Sequence, residues 1–399
     1  MTQPATPEAN ISFIHVFSRG LLFLILFRRF IAAMQHLKSS FFSHKSAALA
    51  AWMITAAAAG AAVQSVVLIS GLNEPRDVAV APNGDIHVVE AGAAIDTTGL
   101  TPITTDTGAA YFGTTGSVSV WSNGTVTRPI TGLPMLYNPT SNEITGGQGI
   151  TVTTSGTVLA IGLGGTAANR DLGPAGASAL GNLMTLPFTR TDLSAFVGSA
   201  SNPFHMAVSG DLTAVADAGD NSVLTIQNGV VSRAGYLPDT PGGADFVPTG
   251  VAIGSGGNIF VGGLSGFPFT PGAASVYRMN EGQASLFATG FTNITDIALG
   301  QDGTLFVLEY ATNGILSGNN TGGLWALSAD GSSRQLLMTD GLVHPTGLTT
   351  GTDGTLYITN SGAALGQGQL LAVTVPEPGA TVLMGLLGAV GLMRRRRCS

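Results

Sequence analysis

Cysteine is almost absent: the chain of 399 residues holds one, Cys398, next to its end. No disulfide framework, thiol nucleophile or cysteine-ligated metal can form in the remainder. Charge is scarce as well, at 10% of residues, where an ordinary soluble domain carries about 25%. With 44% apolar residues, that scarcity excludes a disordered polyelectrolyte. Lysine is missing from 63–378, where seven arginines face 22 acids. So acidic a body repels nucleic acid, whose binding needs clustered cations against phosphate, but it tolerates cationic ligands and metals. There is no Gly-x-Ser-x-Gly elbow and no His-Glu-x-x-His, so two common hydrolase signatures are missing. What is abundant is glycine, 56 residues, with 19 prolines. Without a three-residue period this is not collagen; it suits short strands joined by tight turns.

The two ends read as addresses. Met34 opens a segment in which Lys38 and Lys45 precede the small apolar run Ala47–Ala62, and Gly60-Ala61-Ala62 offers a cleavage site. This is the layout of a secretory signal for Sec-type export. Translation then starts at Met34; the alternative is a long signal with an N-terminal anchor, because Ile11–Phe17 and Leu21–Phe27 are each too short to span a bilayer, which takes about 20 residues. At the other end, Pro376-Glu377-Pro378 is followed by an apolar helix-forming stretch, 380–393, and then by Arg394, Arg395, Arg396 and Arg397. The stretch is roughly 21 Å long as a helix, short for a bilayer core of about 30 Å, and the arginines should remain cytoplasmic. Motif, helix and basic tail together resemble the PEP-CTERM sorting signal. That resemblance implies an exosortase-type membrane protease as partner and a cell-envelope or extracellular destination, with transient membrane anchoring through the C-terminal transmembrane helix. A plain tail anchor is the alternative. The expected organisation is 1–62 as extension and signal, 63–374 as folded body and 375–399 as sorting segment.

The body is an internal repeat. Six segments, Asp77–Glu90, Gly149–Gly162, His205–Asp217, Gly250–Gly263, Asp296–Glu309 and Gly347–Asn360, each contain two β-rich runs around a turn glycine. Those glycines are Gly84, Gly156, Gly210, Gly257, Gly303 and Gly354, spaced by 72, 54, 47, 46 and 51 residues. A period near 45–50 residues with about four strands per unit is that of a β-propeller. The expected fold is all-β, a six-bladed NHL- or TolB-like propeller. Asn83-Gly84, Asp302-Gly303 and Asp353-Gly354 suggest two-residue hairpin turns with both residues at positive φ. The last unit lacks an outer strand, and Ser65–Ile69 precedes the first. The N-terminal strand is therefore expected to pair with Gln369–Val375 and close the ring, removing open edges. Alternating connections place every long insertion on one face: Ala91–Gly116, Leu163–Asn182, Leu264–Ala274 and Tyr310–Gly323. Function tends to sit on loops held by a rigid scaffold, so this face is where it is sought.

Several runs carry a family likeness: 71–76 (Gly-Leu-Asn-Glu-Pro-Arg), 160–165 (Ala-Ile-Gly-Leu-Gly-Gly), 263–273 (Gly-Leu-Ser-Gly-Phe-Pro-Phe-Thr-Pro-Gly-Ala) and 290–296 (Gly-Phe-Thr-Asn-Ile-Thr-Asp). On these residues the body, over about 65–375, is similar to the ScyD/ScyE family of exported propeller proteins, associated with scytonemin pigment biosynthesis in cyanobacteria. The resemblance implies a ligand-binding or scaffold protein and brings no defined reaction with it.

Candidate chemistry lies where second strands end. Glu90, Asp217, Glu309 and Asn360 occupy equivalent positions in blades one, three, five and six, with Gly162 and Gly263 in the other two. Asp77, His205 and Asp296 start inner strands on the same face. Oxygen ligands of this kind suit Ca²⁺, so Glu90, Asp217, Glu309 and Asn360 are the candidate metal set, and all seven residues are the candidate ligand-binding mouth. A metal there could polarise a substrate carbonyl, as in lactonase-type propellers; the competing readings are an extracytoplasmic metal-dependent hydrolase and acids that merely hydrate the entrance or bond to backbone amides. No catalytic residue is assigned. His87 reads as a strand residue and His344 as a loop residue. Phe267, Pro268 and Phe269 form an apolar loop that either packs on a neighbour or offers a platform to a hydrophobic ligand.

Overall fold

The structure, a computed structural model, describes residues 63–376 apart from 106–107, 164–166, 172, 188 and 199–200. The signal segment and the tail with Glu377, Pro378 and Arg394–Arg397 lie outside the described residues. Among the described residues no helix is long and apolar enough to cross a membrane.

Six antiparallel sheets make up the body. Their inner strands are Pro75–Val80, Gly147–Thr153, Pro203–Ser209, Pro248–Ile253, Ile294–Leu299 and Gly347–Thr350. Each pairs with a second strand: Ile86–Glu90, Gly156–Ile161, Leu212–Asp217, Ile259–Gly263, Leu305–Glu309 and Leu356–Asn360. Five sheets have four strands and the first has six. Each inner strand touches the inner strand of the next sheet, and Gly347–Thr350 lies against Pro75–Val80. The fold is a β-propeller of six blades.

Burial follows from the two-sided exposure of each blade to its neighbours. Ile150, Leu159 and Ile161 pack with Val89 and Val118 between blades one and two; Leu183 and Ala160 meet Met206 and Val215 between two and three. Ile69, Leu72 and Leu370 pack against Val78, Ile86 and Val88, so the sixth sheet meets the first in the same way. The first strand of the body, Gln64–Leu72, pairs antiparallel with Gly368–Thr374, as the missing outer strand suggested.

Two expectations change. The turns with Asn83-Gly84, Asp302-Gly303 and Asp353-Gly354 are not two-residue turns. Only the glycine is left-handed, with φ of 87°, 85° and 83° respectively. The Gly84 amide donates to the Ala81 carbonyl and the Ala81 amide to the Asp85 carbonyl, which makes a three-residue loop with a bulge. Asn83 Oδ1 accepts the Asp85 amide at 3.1 Å, so the preceding polar residue serves as an Asx turn. The insertion 91–116 is also not an irregular loop. Thr101–Thr105 pairs with the long strand Gly108–Ser122, which pairs with Thr125–Asn138. The first blade's own hairpin is thus extended, and Ile103, Ala110 and Phe112 bury themselves with Ala177 and Leu180 of the second insertion.

Candidate functional site

All six inner strands line a central cavity of about 270 Å³. At one level its wall is Ala79, Thr151, Ala207, Ala252, Ala298 and Thr349, and these small side chains leave the space. One step earlier in each strand comes a packing aliphatic residue, and one step before that the sequence alternates around the ring: Asp77, Gly149, His205, Gly250, Asp296, Gly347.

The alternation has a steric cause. A Cβ on Gly149 would fall 2.5 Å from the Phe204 carbonyl oxygen, one on Gly250 2.6 Å from the Ile297 nitrogen, and one on Gly347 2.5 Å from the Asp77 Cα. Each glycine lets the following blade's inner strand come close, and that following strand carries the polar side chain. The result is a pseudo-threefold cluster of Asp77, His205 and Asp296, all buried, with ligand atoms within 4.8 Å of one another. Asp77 accepts the amides of Val78 at 2.7 Å and Ile150 at 2.8 Å. Asp296 likewise accepts those of Ile297 at 2.8 Å and Leu348 at 2.7 Å. Both aspartates therefore bridge two blades through main-chain donors.

His205 sits between them with 2% of its surface exposed. Its Nδ1 is 3.0 Å from Asp296 Oδ1, an ion-pair distance, yet neither ring nitrogen makes a directed hydrogen bond. Burial alone would lower its pKa, but the carboxylates of Asp296 and Asp77 outweigh burial and push it up to about 9. Burial pushes Asp77 up to about 7, against the opposing attraction of His205.

The other four candidates are not brought together. Glu90 accepts the Asn73 amide at 2.6 Å, Asp217 that of Asn202 at 2.9 Å, Glu309 that of Thr292 at 2.6 Å and Asn360 that of Val343 at 2.8 Å. Each ties the end of a second strand to the segment entering the same blade. Remaining lone pairs are also engaged: Glu90 by Ser119 and Arg128, Asp217 by Ser201, Glu309 by the Trp325 indole. The expectation of a shared Ca²⁺ on this set is corrected accordingly. A second strand stands one strand spacing, about 4.8 Å, farther from the axis, so its end cannot reach across the channel; the start of an inner strand can. In the two blades without such a latch, neighbours fill the place: a Cβ on Gly263 would meet the Phe246 ring at 2.6 Å.

Other sequence candidates are peripheral to the cluster. His344 stacks on Tyr310 with ring centroids 4.3 Å apart. His87 is half-buried in its strand, and burial lowers its pKa. Phe267 is 76% exposed and meets Phe269 edge-on. A Cβ on Gly314 would lie 3.2 Å from Pro271, so this loop adjoins the insertion 310–323. Arg76, which the repeat pattern did not single out, joins Glu74 at 2.6 Å and the Ile144 carbonyl at 2.8 Å.

No family profile and no curated protein sequence matches the chain. Solved structures do resemble it. XC5397 from Xanthomonas campestris, described as a gluconolactonase, is 13% identical over 81% of this chain and 92% of its own, with a TM-score of 0.47. A streptogramin B lyase is 17% identical over 78% of this chain and 97% of its own, with a TM-score of 0.45. A virginiamycin B lyase from Staphylococcus aureus is 14% identical over 78% and 99%, with a TM-score of 0.46. These likenesses concern the fold and extend no activity to this chain.

Proposed function

We propose that this chain is an exported, envelope-sorted β-propeller of the ScyD/ScyE type, closed by its N-terminal strand, that acts as a binding or scaffold module. The observation that carries this reading is the fate of the mouth acids. Glu90, Asp217 and Glu309 are each spent on latching their own blade, and they form no common centre that could polarise a substrate. The axial cavity, about 270 Å³, is smaller than the roughly 300–1,000 Å³ of typical organic-ligand pockets. What faces outward is a surface of long insertions, from which Phe267 projects as an apolar anchor. The PEP-CTERM-like tail would hold the body at the membrane through its C-terminal helix until an exosortase-type protease releases it.

Two measurements test the reading. Mass spectrometry of envelope material should show mature protein without Arg394–Arg397; mature protein retaining them would count against processing. A lactone and ester panel, run with the purified protein and added divalent ions, should show no turnover. Sustained hydrolysis would instead favour the metal-dependent hydrolase.

A further inference from the structure

We propose that Asp77, His205 and Asp296 form a binding site for one divalent transition ion of the Zn²⁺ or Mn²⁺ class on the propeller axis. The inference goes beyond the scaffold reading and is independent of export and sorting.

Three features of the cluster point to a ligand. The first is geometry. All three donor atoms lie within 4.8 Å, and the His205–Asp296 edge, 3.0 Å, is already at the spacing of two ligands on one metal, about 3.0–3.4 Å for bonds of 2.0–2.1 Å. The second is the imidazole. His205 is buried and aimed at two carboxylates; its Nδ1 stands 3.0 Å from Asp296 Oδ1 without a directed hydrogen bond, and Nε2 makes none either, so a metal ion can take an imidazole nitrogen without breaking a well-formed bond. The third is charge. Asp77 and Asp296 place two carboxylates in a buried space, and their main-chain donors fix each one without neutralising it. A divalent ion would balance both carboxylates at once.

The donor set also selects the ion. One imidazole nitrogen with two carboxylate oxygens suits Zn²⁺ or Mn²⁺, whereas Ca²⁺ prefers six to eight oxygens. The cavity beside the cluster leaves room for water at the remaining coordination positions. Glycines at the alternate positions, Gly149, Gly250 and Gly347, contribute no side chain of their own and bring the neighbouring strands inward, so the three ligands stand preorganised on strands of blades one, three and five.

The test uses the full-length chain, stripped with chelator and titrated with ZnCl₂, MnCl₂ or CoCl₂. One ion per chain is expected by elemental analysis, with a rise in melting temperature and d–d absorption from bound Co²⁺. His205→Gln should weaken binding by at least the ten- to hundredfold that loss of a supporting residue costs a metal site, and Glu309→Gln should leave it unchanged. Should His205→Gln not fold by circular dichroism, Asp77→Asn, which keeps an oxygen for a backbone donor, gives the same comparison. Failure of the wild-type chain to retain a stoichiometric ion, or binding by the cluster variants equal to wild type, overturns the proposal. Neither result bears on tail processing.

Discussion

A methyl group added at Gly250 would sit 2.6 Å from the Ile297 nitrogen and 2.7 Å from the Asp296 Cα. These are main-chain atoms of the next blade, so no rotamer change relieves the clash; the blades must part. Gly250→Ala should therefore cost about 1–3 kcal/mol, the range for overpacking a well-filled site. Gly242 is a suitable control, because nothing lies within 4 Å of its added Cβ and its φ is not left-handed. Gly242→Ala should stay within about 0.5 kcal/mol of wild type. Urea denaturation of both variants checks this, and equal stability would mean that the alternate glycines do not set the spacing of the inner strands.

The latches act between elements. Glu309 receives the Thr292 amide at 2.6 Å and the Trp325 indole at 2.8 Å, joining the entry, second strand and third strand of blade five. Burial raises its pKa, and these two donors with Arg334 hold it back only in part. The folded state thus favours the protonated form more than the unfolded chain does. That contribution to stability is present at low pH and is lost as pH rises through the folded pKa. Glutamine keeps the shape, gives up about 1 kcal/mol of hydrogen bonding at any pH, and does not titrate. The melting temperature of Glu309→Gln relative to wild type should therefore improve between pH 4 and pH 7. A difference that stays constant over that range would show that the carboxyl is not destabilised by burial.

For the whole molecule the decisive pairing is the least local one. Gln64–Leu72 meets Gly368–Thr374, and the Thr346 hydroxyl donates to the Pro75 carbonyl across 271 residues at 2.7 Å. Every other blade is built from consecutive strands. Deleting Ser65–Ile69 leaves an outer edge unpaired and removes Ile69 from the contact between the sixth and first blades. Such an edge invites association with other chains. The deletion should replace a single cooperative transition with a broad one accompanied by light scattering; an unchanged melting curve would sink the role assigned to this strand.

Much of this architecture is legible in the sequence because its causes are local or periodic. The turn glycines and their spacing announce six hairpins, and the surplus strand at the front answers the shortage at the back. Asp77, His205 and Asp296 can even be found by aligning the residue before each packing aliphatic. Other features needed the tertiary structure. A polar residue at the end of a strand looks the same whether it faces a metal or a backbone amide, so Glu90, Asp217, Glu309 and Asn360 could not be told from a ligand set until their distance from the axis was known. The extension built by 101–138 was hidden because its strands pair beyond the repeat and follow no period. The sequence by itself determined which residues stand at which register in each blade. Only the closing of six blades around one axis decided which of them meet, because convergence depends on radial distance, and radial distance is a property of the assembled ring rather than of any segment in it.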